Sequence, residues 1–333
     1  MAPAIPDDRW CQMKALVTGN LPEQALSKLR TRHEIVVNNV DLPMSREDIL
    51  ANIGDKEGLL CMIADRIDEG VMERAPKLRM IANYGVGYDN IDLASATARG
   101  IWVANTPDVL TDATADLTFA LILAVARRVV EGDRIARSGN FPKWGPMIFL
   151  GTEVAGKTLG IVGLGRIGKA VARRAKGFGM SILYHSRRRL AEDEEKQLDA
   201  LYVDMRTLLS TADFVSLHVS LNEATRRLIG AQELELMKPT SYLINVSRGP
   251  VVDEHALVEA LRQKKIAGAG LDVYENEPSL AAGLADLENV VLLPHVGSAT
   301  IETRTRMAEV AVINLLAGLA GETPPNCLNC VTR

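Results

Sequence analysis

Apolar residues in this chain fall into short continuous runs, separated by stretches where they recur every three or four positions. Runs at 14–18 (KALVT), 34–37, 59–63, 80–82 and 102–104 read as strands, with helices at 22–29, 45–53 and 89–98 between them. An apolar helix at 113–130 and an irregular arm at 134–150 follow, the arm carrying Gly, Pro and Trp. The rhythm then resumes with strands at 159–162, 181–184, 214–217, 242–246, 268–273 and 290–293, a helix at 169–178 and a last helix at 301–319. Strand–helix alternation of this kind predicts the α/β class, here two Rossmann-like or flavodoxin-like domains with parallel sheets. The tail after residue 319 is too short to house its helix separately, so the helix is expected to return to the first domain. That gives a discontinuous domain, 1–108 with 297–333, and a continuous one, 109–296.

The glycines at 163, 165 and 168 in TLGIVGLGRIG stand between an apolar strand and a helix. This order brings backbone N–H groups and the positive end of a helix dipole to a pyrophosphate, so the segment predicts a dinucleotide site rather than a plain structural turn. Gly163 permits the tight turn, Gly165 the close approach of phosphate, and Gly168 the packing of helix on strand. At the end of the second strand, where an NAD site usually carries an acid for the ribose 2′-hydroxyl, the chain reads His185, Ser186, Arg187, Arg188, Arg189. Guanidiniums without a carboxylate favour the 2′-phosphate of NADP(H), with NAD(H) possible; the alternative is a solvated basic turn.

Composition narrows the rest. With 333 residues, two domains are the natural expectation, and a net charge of −4 gives no reason to expect nucleic acid or an anionic membrane as a partner. The start MAPAIPDDRW lacks a leader pattern and no apolar run approaches a bilayer span, so a cytoplasmic protein is expected. Four cysteines, Cys11, Cys61, Cys327 and Cys330, are too scattered for a disulfide framework, and the C-x-x-C of the last two has no companions for a zinc site, so no metal is expected.

Three polar residues follow predicted strand ends, where open α/β sheets place ligands: Arg248, Glu277 and His295. Arg248 is suited to gripping a carboxylate, or else pairs on the surface with Asp253 or Glu254. His295 can exchange a proton near neutral pH, and Glu277 can hold it protonated as a general acid; the alternative is a structural histidine.

Together with these residues, six ordered segments resemble the D-isomer-specific 2-hydroxyacid dehydrogenases over essentially the whole chain: NYGVGYDNIDL, VANTPDVLTDATADLTFALILAVARR, GKTLGIVGLGRIG, NVSRGPVVDE, GAGLDVYENEP and LLPHVGSA. The resemblance implies an active site in the cleft between a substrate-binding domain and a nucleotide-binding one, and reduction of a small 2-oxo acid to the D-2-hydroxy acid. Arg248 would bind and polarise the substrate, His295 give the proton and Glu277 tune it, while the N–H groups of Val86 and Gly87 hold the carboxylate. Leu164, Gly165, Arg166 and Ile167 would take the pyrophosphate, Ser186, Arg187 and Arg188 the ribose phosphate, and Val246, Ser247, Asp272 and Gly297 further parts of the cofactor, with Asp272 facing the nicotinamide. Within the family, SRRR and Trp144 most resemble NADPH-dependent glyoxylate and hydroxypyruvate reductases. These are dimers through the long helix and arm, which implies a homodimer; Trp144 or Phe149 would then either approach the neighbour's active site or simply pack in the interface. Asp116, where Glu is commoner, and Ser220, where Pro is usual, depart from the pattern. Val86 stands where a phosphite dehydrogenase has lysine, Glu277 where a formate dehydrogenase has an amide, and the regulatory extension of many phosphoglycerate dehydrogenases is missing. The alternatives are a dehydrogenase of another 2-hydroxy acid and an NAD(H)-sensing, corepressor-like interaction module.

Overall fold

The computed structural model describes residues 12–140, 142–329 and 331; Cys11 and Cys330 lie outside them. The chain divides into two compact units, Met1–Val109 with Thr300–Arg333, and Leu110–Ala299.

The first unit holds β1 (Lys14–Val17), α1 (Glu23–Arg30), β2 (Glu34–Val37), α2 (Arg46–Asn52), β3 (Gly58–Met62), α3 (Glu69–Glu73), β4 (Met80–Tyr84), α4 (Leu93–Ala98) and β5 (Trp102–Ala104). Its five strands are all parallel in the order β2-β1-β3-β4-β5. Helix starts follow local chemistry: the side chains of Ser45, Asp68 and Asp92 accept from backbone N–H groups of α2, α3 and α4. The last helix of the chain, Ile301–Leu319, packs on β3 and β4 of this unit. It comes so close that a Cβ at Gly318 would meet Met80 Cγ at 2.6 Å.

The second unit begins with α5 (Thr111–Ala126) and α6 (Val129–Arg137). Here the structure corrects the single helix expected over 113–130. Arg128 takes a left-handed conformation (φ 53°) and ends the first helix, held there by hydrogen bonds to Glu131 and the Leu150 carbonyl and by stacking over Phe149. The first stretch of the expected irregular arm, to Arg137, is therefore helical. Apolar on most sides, α5 packs against the sheet and against α7 (Arg166–Gly177), where Asp112 and Asp116 pair with Arg174.

Seven parallel strands follow: β6 (Thr158–Val162), β7 (Ser181–His185), β8 (Ala200–Tyr202), β9 (Phe214–Leu217), β10 (Tyr242–Asn245), β11 (Gly268–Leu271) and β12 (Val290–Leu292). They are crossed by α8 (Glu192–Leu198), α9 (Met205–Thr211), α10 (Ala231–Leu236) and α11 (Glu254–Arg262), and the helix at Ile301–Leu319 is α12. Sheet order is β12-β11-β10-β9-β6-β7-β8. Strand order reverses between β6 and β9, which opens a crevice beyond the carboxyl end of β6. Both domains are thus parallel α/β sheets, the second Rossmann-like. One apolar cluster, with Phe119, Ile161 and Tyr184, includes side chains of α5 and α7; a second, with Leu208, Val215 and Leu257, includes side chains of α9 and α11.

Candidate active site

The glycine turn leaves β6 at the crevice. Gly163 has φ +94°, and a Cβ there would lie 2.8 Å from the His218 carbonyl. Gly168 sits one turn into α7, where a Cβ would fall 2.3 Å from the Gly163 carbonyl oxygen, so only glycine lets the helix start this close to the strand. Gly165 is different: nothing lies within 4 Å of a Cβ built on it. A glycine facing open space at the N-cap of a twelve-residue helix fits a backbone that a pyrophosphate must approach. Leu164 is buried beside it, and Arg166 and Ile167 open the helix.

One strand over, β7 delivers Ser186, Arg187, Arg188 and Arg189. The structure separates the three arginines. Arg189 is held by Glu195, Nε to Oε1 and Nη2 to Oε2, both at 2.8 Å. The exposed guanidiniums of Arg187 and Arg188 have no carboxylate partner among the described residues, and Ser186 Oγ donates to the Arg188 carbonyl at 2.5 Å. Two unpaired guanidiniums at this place fit a ribose phosphate better than a bare ribose hydroxyl.

Arg248, Glu277 and His295 follow β10, β11 and β12, three adjacent strands, so one edge of the sheet carries all three. His295 Nδ1 and Glu277 Oε2 are 2.9 Å apart. His295 adopts φ 54°, a conformation held by Asp272, which accepts from the N–H groups of Val296 at 2.7 Å and Gly297 at 2.8 Å. Both oxygens of the buried Asp272 thus go to the backbone just after the histidine, and its carboxyl is pushed up chiefly by burial. Burial would raise Glu277 too, but the hydrogen bond and charge of His295, the Tyr274 N–H and the Arg248 charge outweigh it and hold the carboxyl below its usual range. Arg248 Nη1 donates to the Ser247 carbonyl, and Asn245 fixes the turn by donating to the Arg248 carbonyl and accepting from the N–H and hydroxyl of Ser247, next to the buried Val246. An imidazole with a carboxylate on one nitrogen can present a proton from the other, and a neighbouring guanidinium can polarise the group receiving it.

On the first unit, Val86 and Gly87 follow β4. Three successive carbonyls are turned inward: Gly85 O accepts from Thr106 N at 3.0 Å, Val86 O from Asn105 Nδ2 at 2.7 Å, and Gly87 O from Asn83 Nδ2 at 2.6 Å. Across a trans peptide the N–H points opposite to the carbonyl, so the N–H groups of Val86, Gly87 and Tyr88 face away from those anchors. None has an acceptor among the described residues. The sequence reading missed Asn83 and Asn105; the signal available was an amide within the apolar run MIANY and another closing WVAN.

Among the described residues no group of three His, Cys, Asp or Glu side chains is placed to hold a metal ion, and no helix is long and apolar enough to cross a membrane.

A phosphate turn at the switch point, and a histidine–carboxylate pair beside an arginine on the same sheet edge, define a nicotinamide-dependent oxidoreductase. Residues 119–297 match the family model for the NAD-binding domain of D-isomer-specific 2-hydroxyacid dehydrogenases. A glyoxylate reductase of Thermococcus litoralis is 52% identical over 320 residues, covering 95% of this chain and 96% of its own. Among solved structures, a Thermus thermophilus protein superposes with a TM-score of 0.89 at 48% identity, covering 95% of this chain and all of its own. An NADPH-dependent glyoxylate/hydroxypyruvate reductase from Sinorhizobium meliloti, solved with NADP and malonate, gives a TM-score of 0.84 at 36% identity, covering 95% and 97%. The chain belongs to the D-isomer-specific 2-hydroxyacid dehydrogenase family.

Proposed function

We propose that this chain is a cytoplasmic, NADPH-preferring reductase of glyoxylate, hydroxypyruvate or a related small 2-oxo acid, forming the D-2-hydroxy acid. The observation carrying the reaction is the 2.9 Å His295–Glu277 pair on the strand edge that also presents Arg248. Arg248 grips the 2-oxo acid and draws electron density towards its carbonyl oxygen. His295 gives that oxygen a proton, and Glu277 stabilises the imidazolium before transfer. The outward N–H groups of Val86 and Gly87 take the carboxylate. Residues 164–167 hold the pyrophosphate of the dinucleotide, Ser186, Arg187 and Arg188 its 2′-phosphate, and Val246, Ser247, Asp272 and Gly297 border its nicotinamide half. A reduced nicotinamide bound there supplies hydride to the carbonyl carbon.

Cofactor preference rests on the two unpaired guanidiniums, and substrate size on the named activities of the Thermococcus and Sinorhizobium relatives. Exposed Trp144, Met147 and Leu150 in the arm after α6 support a homodimer through that segment, which sedimentation of a Trp144→Ser, Met147→Ser variant tests. The deciding experiment follows loss of NADPH or NADH absorbance with glyoxylate, hydroxypyruvate, pyruvate and phenylpyruvate under identical conditions. Fast oxidation of NADPH with the two smallest polar acids is the expected outcome. Turnover confined to NADH, or to the larger acids, overturns the corresponding half of the proposal.

A further inference from the structure

The turn between β7 and α8 is almost untethered by its own backbone. Among the described residues, none of the N–H groups of Ser186, Arg187, Arg188 and Arg189 donates to a backbone carbonyl. What fixes the turn is a cluster of side chains. The Tyr184 hydroxyl, buried under β7, donates to Glu195 Oε1 at 2.6 Å and accepts from the Leu190 N–H at 2.8 Å. Glu195, in α8, uses the same Oε1 and its Oε2 to take Arg189 in two parallel bonds. The Arg189 guanidinium also lies 5.8 Å from the ring centre of Tyr202 in β8, and that ring meets Tyr184 edge-on at 5.3 Å.

We propose that Tyr184, Glu195 and Arg189 form a clamp that positions the Ser186–Arg188 turn for the ribose 2′-phosphate, Arg189 acting on the cofactor only through the shape it imposes. This rests on the reading of that turn as the phosphate site and assigns its third arginine a different task from the other two. The geometry supports the division of labour. A bidentate ion pair consumes the planar fork that a phosphate would need. Glu195 is also the acid that keeps Arg189 from swinging outward, and its carboxyl is held at about 2 by Arg189 first and Tyr184 second. Leu190 N–H, pinned to Tyr184, closes the far end of the turn, so three contacts fix a segment the backbone leaves loose.

The test is binding of 2′,5′-ADP and of 5′-AMP to the full chain by titration calorimetry, without turnover. Wild type is expected to prefer 2′,5′-ADP, and an Arg187→Ala, Arg188→Ala variant to lose that preference. Glu195→Gln breaks the bidentate pair, because an amide nitrogen cannot accept from Arg189. It is expected to weaken 2′,5′-ADP by about tenfold while 5′-AMP stays within about twofold. Tyr184→Phe removes one hydroxyl with little change of shape and is expected to move the same ratio in the same direction by about threefold, which keeps the clamp testable should Glu195→Gln fold poorly. Tighter binding of 2′,5′-ADP by Glu195→Gln overturns the proposal, since it makes Arg189 a phosphate ligand that Glu195 holds back. Equal weakening of both nucleotides, or no change in either, overturns it as well. A wild type that does not distinguish the two nucleotides defeats the phosphate reading itself, an outcome separate from failure of the clamp.

Discussion

Replacing Gly165 by alanine separates folding from cofactor binding. At this N-cap the backbone has φ −79° and ψ −158°, which alanine adopts freely, and the new methyl meets no protein atom within 4 Å. Alanine is a poorer N-cap than glycine by up to about 1 kcal/mol, while stiffening of the unfolded chain returns roughly 0.4–1 kcal/mol. Thermal stability should therefore change by no more than about 2 °C. Binding is another matter, because the methyl projects into the space a pyrophosphate must enter. Losing one charge-assisted bond from a backbone N–H costs about 1.5–3 kcal/mol, so the Kd of NADPH, read by fluorescence titration, should rise about 10- to 100-fold. Gly168→Ala is the contrast: its Cβ would fall 2.3 Å from a backbone oxygen, which costs about 2 kcal/mol and lowers Tm by roughly 4–8 °C. A Gly165→Ala protein with wild-type NADPH affinity would refute the reasoning that places the phosphates against this glycine.

His295→Ala removes the proposed proton donor and should cut turnover with glyoxylate by about 10²- to 10⁴-fold while the Kd of NADPH stays near wild type; wild-type turnover removes histidine from the chemistry. Asn83→Asp replaces the N–H that anchors the Gly87 carbonyl at 2.6 Å with an oxygen that repels it. KM for glyoxylate should rise about tenfold with cofactor affinity unchanged, and an unaltered KM means the loop does not hold the carboxylate. His218, beside the glycine turn, is kept neutral by burial, with its pKa lowered to about 3. Between its ordinary value near 6.5 and about 3 the unfolded chain binds a proton the folded one refuses, so stability is lost as pH falls through that window, with no contribution above it. His218→Gln should flatten the decline of the urea midpoint between pH 6 and 4; an unchanged slope sends the acid sensitivity elsewhere.

What the sequence made legible is what local pattern can carry. Gly163, Gly165 and Gly168 are visible because each interrupts an apolar strand–helix transition, and Arg248, Glu277 and His295 because charged residues closing apolar strands stand out. The break at Arg128 was hidden: the pair Arg127–Arg128 is flanked by apolar residues on both sides, Leu121 to Ala126 and Val129 to Val130, and the left-handed residue is stabilised by Phe149 and the Leu150 carbonyl, both about twenty positions away. β8 escaped notice as a three-residue strand at the sheet edge, paired among the described residues with β7 alone. Glu195 lies in the acidic run EDEEK, which reads as a solvated helix face, and only the fold shows that one of those carboxylates turns inward to Tyr184. Asn83 was missed because a buried amide on a strand has no periodic signature; its role depends on a carbonyl four residues later.

The return of α12 to the first unit also dictates an order of assembly during synthesis. Leu110–Ala299 is contiguous and has all its strands as soon as it has left the ribosome. The earlier strands β1 to β5 must wait with the face of β3 and β4 uncovered until Ile301–Leu319 emerges, after the whole of the second unit. Gly58, whose Cβ would lie 2.8 Å from Leu315, and Met80, pressed against Gly318, have no native cover before then. A nascent chain stalled when Ala299 has just left the ribosome, with Ile301–Leu319 still inside it, should therefore expose a finished nucleotide-binding half tethered to an apolar, aggregation-prone sheet.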